Sequence, residues 1–186
     1  MSDKIGVIES LLHRVDSLII GGAMANTFLK AKGYDIGQSM VDDTLLDTAR
    51  QLIDEAMKKG VKFYLPVDVV VADRLDRRAQ TKITPVQEVP DDWIITDIGP
   101  ATVTLFGLAL QNAQTIIWNG PMGMFELPEF QEGTFSIART LAESVEEIRA
   151  SAGRIHTNAA FTGSGFAHIL TEGSPRASRP RAVRNS

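Results

Sequence analysis

Between Ile116 and Glu126 the chain reads IIWNGPMGMFE, a short apolar run, a turn holding two glycines, a proline and an asparagine, and then an acid. Gly120 and Gly123 let a ligand come close to the backbone, Pro121 stiffens the turn, and Glu126 offers two acceptors suited to sugar hydroxyls. A strained loop closed by a capping glutamate is the structural alternative, but ligand binding accounts for more of these residues. A second candidate, GGAMANTF from Gly21, follows an apolar run in the manner of a phosphate or nucleotide loop. It lacks both the full dinucleotide fingerprint and the P-loop lysine-hydroxyl pair, so it reads equally as a tight strand-to-helix turn.

Other polar residues carry less. Asp68 and Asp73 in LPVDVVVAD lie five apart on a strand, so their side chains point to opposite faces and do not converge as a pair; Asp68 anchors a loop and Asp73 starts a turn. His13, His156 and His168 show neither metal-ligand spacing nor a companion nucleophile, and read as surface residues. Cysteine is absent, which excludes a disulfide framework and thiolate metal sites and fits a reducing, cytoplasmic setting.

The elements that must position these turns follow from periodicity. Apolar residues from Ile5 to Val15 fall at helical spacing, Ser17 to Ile20 is a short strand ending in Gly21 and Gly22, and AMANTFLKAKG is a helix closing at Gly33. A helix from about Asp42 to Lys59 ends at Gly60, with Lys58 and Lys59 complementing its dipole. KFYLPVDVVVA is a buried strand broken by Pro66, and an irregular stretch follows with a short edge strand near Thr81 to Val86. Ile94 to Ile98 and Thr115 to Trp118 are strands, ATVTLFGLALQNA is helical, and a long helix runs from Pro128 to about Arg149. The alternation predicts an α/β fold: a three-layer, doubly wound, Rossmann-like and mainly parallel sheet with helices on both faces. In such sheets ligands bind beyond the carboxyl ends of the strands, so the turns at Gly21-Gly22, Gly99-Pro100 and Asn119 to Gly123 are expected along one edge.

With 186 residues, 44% hydrophobic and 23% charged, the chain is globular and of a size for one well-buried domain. The N-terminus mixes charge into its apolar positions and has no signal-peptide pattern, and no segment approaches the ~20 apolar residues of a membrane span. A net charge of -4 argues against a dedicated nucleic-acid binder. The last stretch, SPRASRPRAVRNS, carries four arginines and no acid, and with two prolines and no aromatic it reads as a disordered end.

Taken together, SDKIGVIESLL, DSLIIGGAMANTFLKAKG, LPVDVVVAD, DIGPATVTLF and IIWNGPMGMFE resemble phosphoglycerate kinase, and specifically its C-terminal, nucleotide-binding half. They stand in the family's order with approximately its spacing, over Ser2 to about Glu143. The resemblance implies a phosphotransferase of glycolysis with a carboxyl group as acceptor, exchanging a phosphoryl group between ATP and 3-phospho-D-glycerate, with ATP or ADP and magnesium as cofactors. Phosphoryl transfer of this kind rests on positioning and charge neutralisation, so the lack of a nucleophile is consistent with it.

Carried over motif by motif, Lys4 resembles the family lysine that contacts the nucleotide phosphates. Gly21 and Gly22 resemble the walls of the adenine pocket, Leu65 lies where an apolar side chain meets the base, Asn119, Gly120 and Pro121 line the nucleotide, and Glu126 takes the ribose. Ile95 stands where many members have glycine against the adenine and Thr96 where they often have leucine, which implies a tighter and slightly more polar base pocket. No catalytic residue and no metal ligand is carried over.

Two family features have no counterpart in the text of the chain. The substrate domain with its phosphoglycerate site, and the glycine-glycine-alanine-lysine segment with its phosphoryl-stabilising lysine, are expected before Met1. The glycine-glycine-glycine-aspartate turn expected after TLAES is replaced by SVEEIRASAGRIHTNAAFTGSGFAHILTEG. The expected organisation is an incomplete nucleotide-binding domain over 1–153, a divergent segment over 154–173 that weakly echoes the family's last glycine-rich segment, and a basic disordered tail over 174–186. The chain is expected to bind phosphate and magnesium weakly and to be inactive alone. A non-catalytic nucleotide-binding or interaction module on the same fold is the alternative. The family is usually monomeric, and neither a membrane nor nucleic acid is an expected partner.

Overall fold

A computed structural model of the chain describes residues 2–111, 113, 115–150, 154–157 and 166–172. The first helix, α1, spans Ser2–Leu11 and leads into β1, Ser17–Gly21, which is buried along its whole length. Helix α2, Gly22–Ala31, starts directly from the strand end. A short 3-10 turn, Asp43–Leu45, precedes α3, Leu46–Lys59, and β2 covers Lys62–Tyr64. Three further strands follow, β3 at Asp68–Ala72, β4 at Thr81–Pro85 and β5 at Ile94–Ile98. Helix α4, Pro100–Leu110, strand β6, Thr115–Asn119, and helix α5, Glu132–Ala150, complete the part the periodicity anticipated. Beyond them lie β7, Arg154–Thr157, and β8, Phe166–Glu172.

The main sheet has the order β2-β1-β8-β6-β7. β1 pairs in parallel with β2, and β6 in parallel with β7. β1 alternates its side chains between the two faces, as a strand must. Leu18 and Ile20 pack with Ile8, Met24, Phe28, Leu52 and Ala56 from α1, α2 and α3. Ile19 points the other way, into a cluster with Phe106, Leu110, Ile137 and Leu141 from α4 and α5. Helices therefore cover both faces of the sheet, the layered α/β arrangement expected from the alternation.

Two features depart from a wholly parallel sheet. β8 lies between β1 and β6 and is antiparallel to both. The link from β7 to β8 is eight residues long, too short for the crossover of a dozen or more that a parallel return needs. Moreover, β3 and β5 do not join the main sheet: they pair antiparallel in a second sheet, β4-β3-β5, with a register shift between Val70 and Val71. The chain makes this move at Leu65 to Val67, between β2 and β3, where Pro66 cannot donate to a ladder. The second sheet has its own small core, with Leu29, Ile36, Val69, Val71, Val86 and Val89.

Helix ends behave as their residues require. Gly60 closes α3 with φ of 71° and donates to Met57 O, and a Cβ placed there would meet nothing within 4 Å. Gly60→Ala is therefore expected to cost only the left-handed backbone penalty, about 1 kcal/mol. Urea unfolding checks this, and an unchanged midpoint would contradict it. The basic stretch 174–186 lies outside the described residues, as do the side chains of His156 and His168. His13 is exposed, with both ring nitrogens 3.0 Å from Lys59 Nζ.

Candidate binding site

The turn after β6 is fastened by three elements. Gly22 N donates to Met122 O at 3.0 Å, joining the start of α2 to the turn. Met122 N donates to the Thr134 hydroxyl of α5 at 3.0 Å, and Met124 N to Thr96 O of β5 at 2.8 Å. Gly120 enters the turn at φ of 93°, and Gly123 packs so closely on β5 that a Cβ there would lie 2.3 Å from Asp97 Oδ1 and 2.6 Å from Thr96 O. The two glycines thus have separate reasons: one serves the turn conformation, the other its contact with β5.

Asp97 is the fastening point beneath the turn. Its carboxylate accepts from Gly133 N at 2.6 Å and from Ile98 N at 2.9 Å, and Gly133, like Gly123, has no room for a Cβ beside it. Burial pushes the carboxyl up to about 7, against the two N–H donors and helped by the nearby charge of Glu132. Glu132 itself is held below the usual range by hydrogen bonds from Arg139 and Ser136.

A cavity of about 360 Å³ opens between this turn, α2, β3 and β5. Its walls are mostly apolar, with Leu29, Met40, Val69, Ile95, Met122 and Met124, and Gly22, Pro121 and Gly123 bring backbone to its edge. Polar groups are few: Asn26, Gln38, Thr96, Asp97 and Glu126. Such a slot suits a flat, partly polar small molecule, whose surface the apolar walls bury while a few polar groups orient it. Glu126 is solvent-exposed, and Asn26 is buried. Asn26 Nδ2 donates to Met40 O at 3.1 Å, but its Oδ1 has no partner among the described residues. An unpaired buried acceptor costs roughly 1–3 kcal/mol.

Of the nine residues named from the resemblance, Gly22, Ile95, Pro121 and Glu126 line this cavity. Gly21 and Asn119 end the strands β1 and β6, Gly120 follows β6, and none of the three is a lining residue. Leu65 lines a neighbouring groove of about 440 Å³ with Phe63 and Ile53, and Pro66 borders both spaces. The side chain of Lys4 lies outside the described residues. Of the three glycine turns, the one at Gly99 does not line the cavity: Gly99 packs on Asp68, whose carboxylate a Cβ would meet at 2.3 Å. Asp68 and Asp73 do not converge: Asp68 accepts from Ala101 N and Thr102 N, while Asp73 pairs with Arg74 at 2.7 Å and accepts from Gln80 N.

Sequence reasoning missed Asn26, Gln38, Met40 and Asp97. The signal for Asn26 was available as a polar residue in a helix that is otherwise small or apolar at Gly22 to Ala25. Gln38 and Met40 sit in a connecting segment whose path no periodicity reveals. Among the described residues no group of three or more His, Asp or Glu could hold a metal ion, and no helix is long and apolar enough to cross a membrane.

Comparison with known proteins bears directly on this arrangement. The family model for phosphoglycerate kinase matches residues 1–175. Phosphoglycerate kinase of Geotalea uraniireducens is 56% identical over 144 residues, covering 77% of this chain and 36% of that protein. That of Aquifex aeolicus is 52% identical over the same length and shares. The structure of phosphoglycerate kinase from Coxiella burnetii aligns with a TM-score of 0.75 at 36% identity, over 83% of this chain and 44% of that one. The chain spans about a third of the length of the curated relatives it matches. With the match running through nearly all of its sequence, the chain belongs to the phosphoglycerate kinase family.

Proposed function

We propose that the cavity is the adenosine site of a phosphoglycerate kinase nucleotide domain, and that this chain supplies the half of the enzyme that binds ATP or ADP. The observation that carries this reading is the apolar slot bounded by Gly22, Ile95, Pro121 and Gly123, with Glu126 exposed at its edge. A purine lies between the walls, and Glu126 accepts hydrogen bonds from the ribose hydroxyls. Ile95 narrows the base site. Gly21, Asn119 and Gly120 shape the strand ends that carry the lining residues, and Leu65 supports the wall at Pro66. Lys4 meets the phosphates as a compact positive charge. The setting is cytoplasmic glycolysis, as for the family.

Magnesium enters this scheme as a partner of the nucleotide's own phosphates, where it would neutralise charge. Transfer between two substrates depends on holding them in contact, and the sequence match takes in 36% of its relatives' length. The chain alone accordingly binds nucleotide without transferring phosphoryl groups. A coupled assay showing turnover by this chain alone contradicts that statement.

A thermal shift with ADP tests the binding reading. At about 100 times its dissociation constant, ADP stabilises the folded chain by about 2.7 kcal/mol. Magnesium is expected to add little, because the glycine-rich phosphate turn of the family has no counterpart in this sequence. No shift at millimolar ADP contradicts the adenosine assignment, and tight binding that depends on magnesium contradicts the second expectation.

A further inference from the structure

We propose that Asn26 is a specificity-determining residue of this cavity, its side-chain oxygen accepting a hydrogen bond from an amino group on a bound nucleobase. The proposal rests on the nucleotide reading above. Asn26 is 3% exposed and lines the cavity with Leu29, Met40 and Ile95. Its amide orientation follows from chemistry: Nδ2 donates to Met40 O, and exchanging the two ends would set oxygen against oxygen. Oδ1 is therefore the free end, buried and without a partner among the described residues.

Buried side-chain polar atoms are nearly always paired, so an orphan acceptor on the wall of a cavity marks where a ligand can complete the bonding. Of the other polar lining groups, Thr96, Asp97 and Gln38 each have a partner, and Gln38 is exposed. The Thr96 hydroxyl donates to Val70 O, the Asp97 oxygens accept from Gly133 and Ile98, and Gln38 Nε2 donates to Asp91 O. Glu126 is at the exposed edge. Asn26 carries the buried acceptor on this lining that has no partner among the described residues. Its oxygen is buried beneath the cavity surface. To meet a ligand the amide must turn, and the side-chain bond that restrains it is the one of 3.1 Å to Met40 O.

The test uses the full chain, calorimetry, and two probes: ADP and its analogue lacking the 6-amino group. Wild type is expected to bind ADP about tenfold more tightly, the worth of one hydrogen bond to a buried acceptor. Asn26→Leu binds the two probes alike, and Asn26→Ala serves if the leucine variant does not fold. Equal binding of both probes by wild type overturns the proposal without any variant, as does a preference that survives in the variants. If wild type binds neither probe, the nucleotide reading itself falls.

Discussion

The folded chain is expected to lose stability as pH rises from about 4 to about 7, by up to about 4 kcal/mol from Asp97 alone. The sign follows from the direction of its shift. Burial raises the folded carboxyl from 3.8 to about 7, so in that window the folded chain holds a proton that the unfolded chain has released. The stabilisation is complete below the unfolded value and is lost as pH rises through the folded one. Structurally, the charged form is confined beneath Gly123 and Gly133, where two backbone N–H groups are its hydrogen-bond donors and Glu132 is the nearby like charge. Urea unfolding across this range checks the effect, and Asp97→Asn should flatten the slope while losing one of the backbone bonds. Subtracting the two curves isolates Asp97 from other titrating groups. Identical slopes for wild type and variant contradict the assignment.

Asp68→Ala is expected to destabilise the chain by about 2–4 kcal/mol, because this buried carboxylate is the cap that α4 lacks locally. Gly99, the residue before that helix, has no side chain to offer, and Asp68 supplies the acceptors from β3 instead. It takes Ala101 N at 3.0 Å and Thr102 N at 2.7 Å, and its negative charge faces the positive end of the helix. The Thr102 hydroxyl accepts in return from Val67 N and Asp68 N, and gives its proton back to the Asp68 side. Removing the carboxylate orphans the helix-start donors and loosens α4 from β3, whose Val69 lines the cavity. Asp68→Asn keeps one acceptor and should cost about 1–2 kcal/mol. Denaturant midpoints decide it: a loss below 1 kcal/mol for the alanine variant would show that α4 is held by its packing instead.

These two carboxylates show how far the sequence could be read. That Asp68 anchors a loop followed from strand alternation, but its partner, the start of α4, lies more than thirty residues away and no local pattern points to it. The helices, the strand ends and the glycine turns were legible because each is written in periodicity and punctuation. Sheet membership was not. β3 and β5 carry the same apolar pattern whether they extend the main sheet or form another, and the direction of β8 depends on the length of its connection. In the same way the turn from Asn119 to Glu126 announced itself by composition, whereas Leu65 faces the neighbouring groove because Pro66 diverts the chain between two sheets. Asp97 read as a strand residue, and only the approach of Gly123 and Gly133 from two other elements makes it a fastening point.

The central claim, that the slot beneath the turn after β6 is a nucleotide site, is tested most directly by titrating ADP into the nitrogen-15-labelled chain and following backbone amides by NMR. Shifts are expected to concentrate at Gly22, Asn26, Ile95, Thr96, Gly123 and Glu126, saturating together with one dissociation constant. No change at saturating ADP, or changes confined to the groove around Ile53, Phe63 and Leu65, would contradict it.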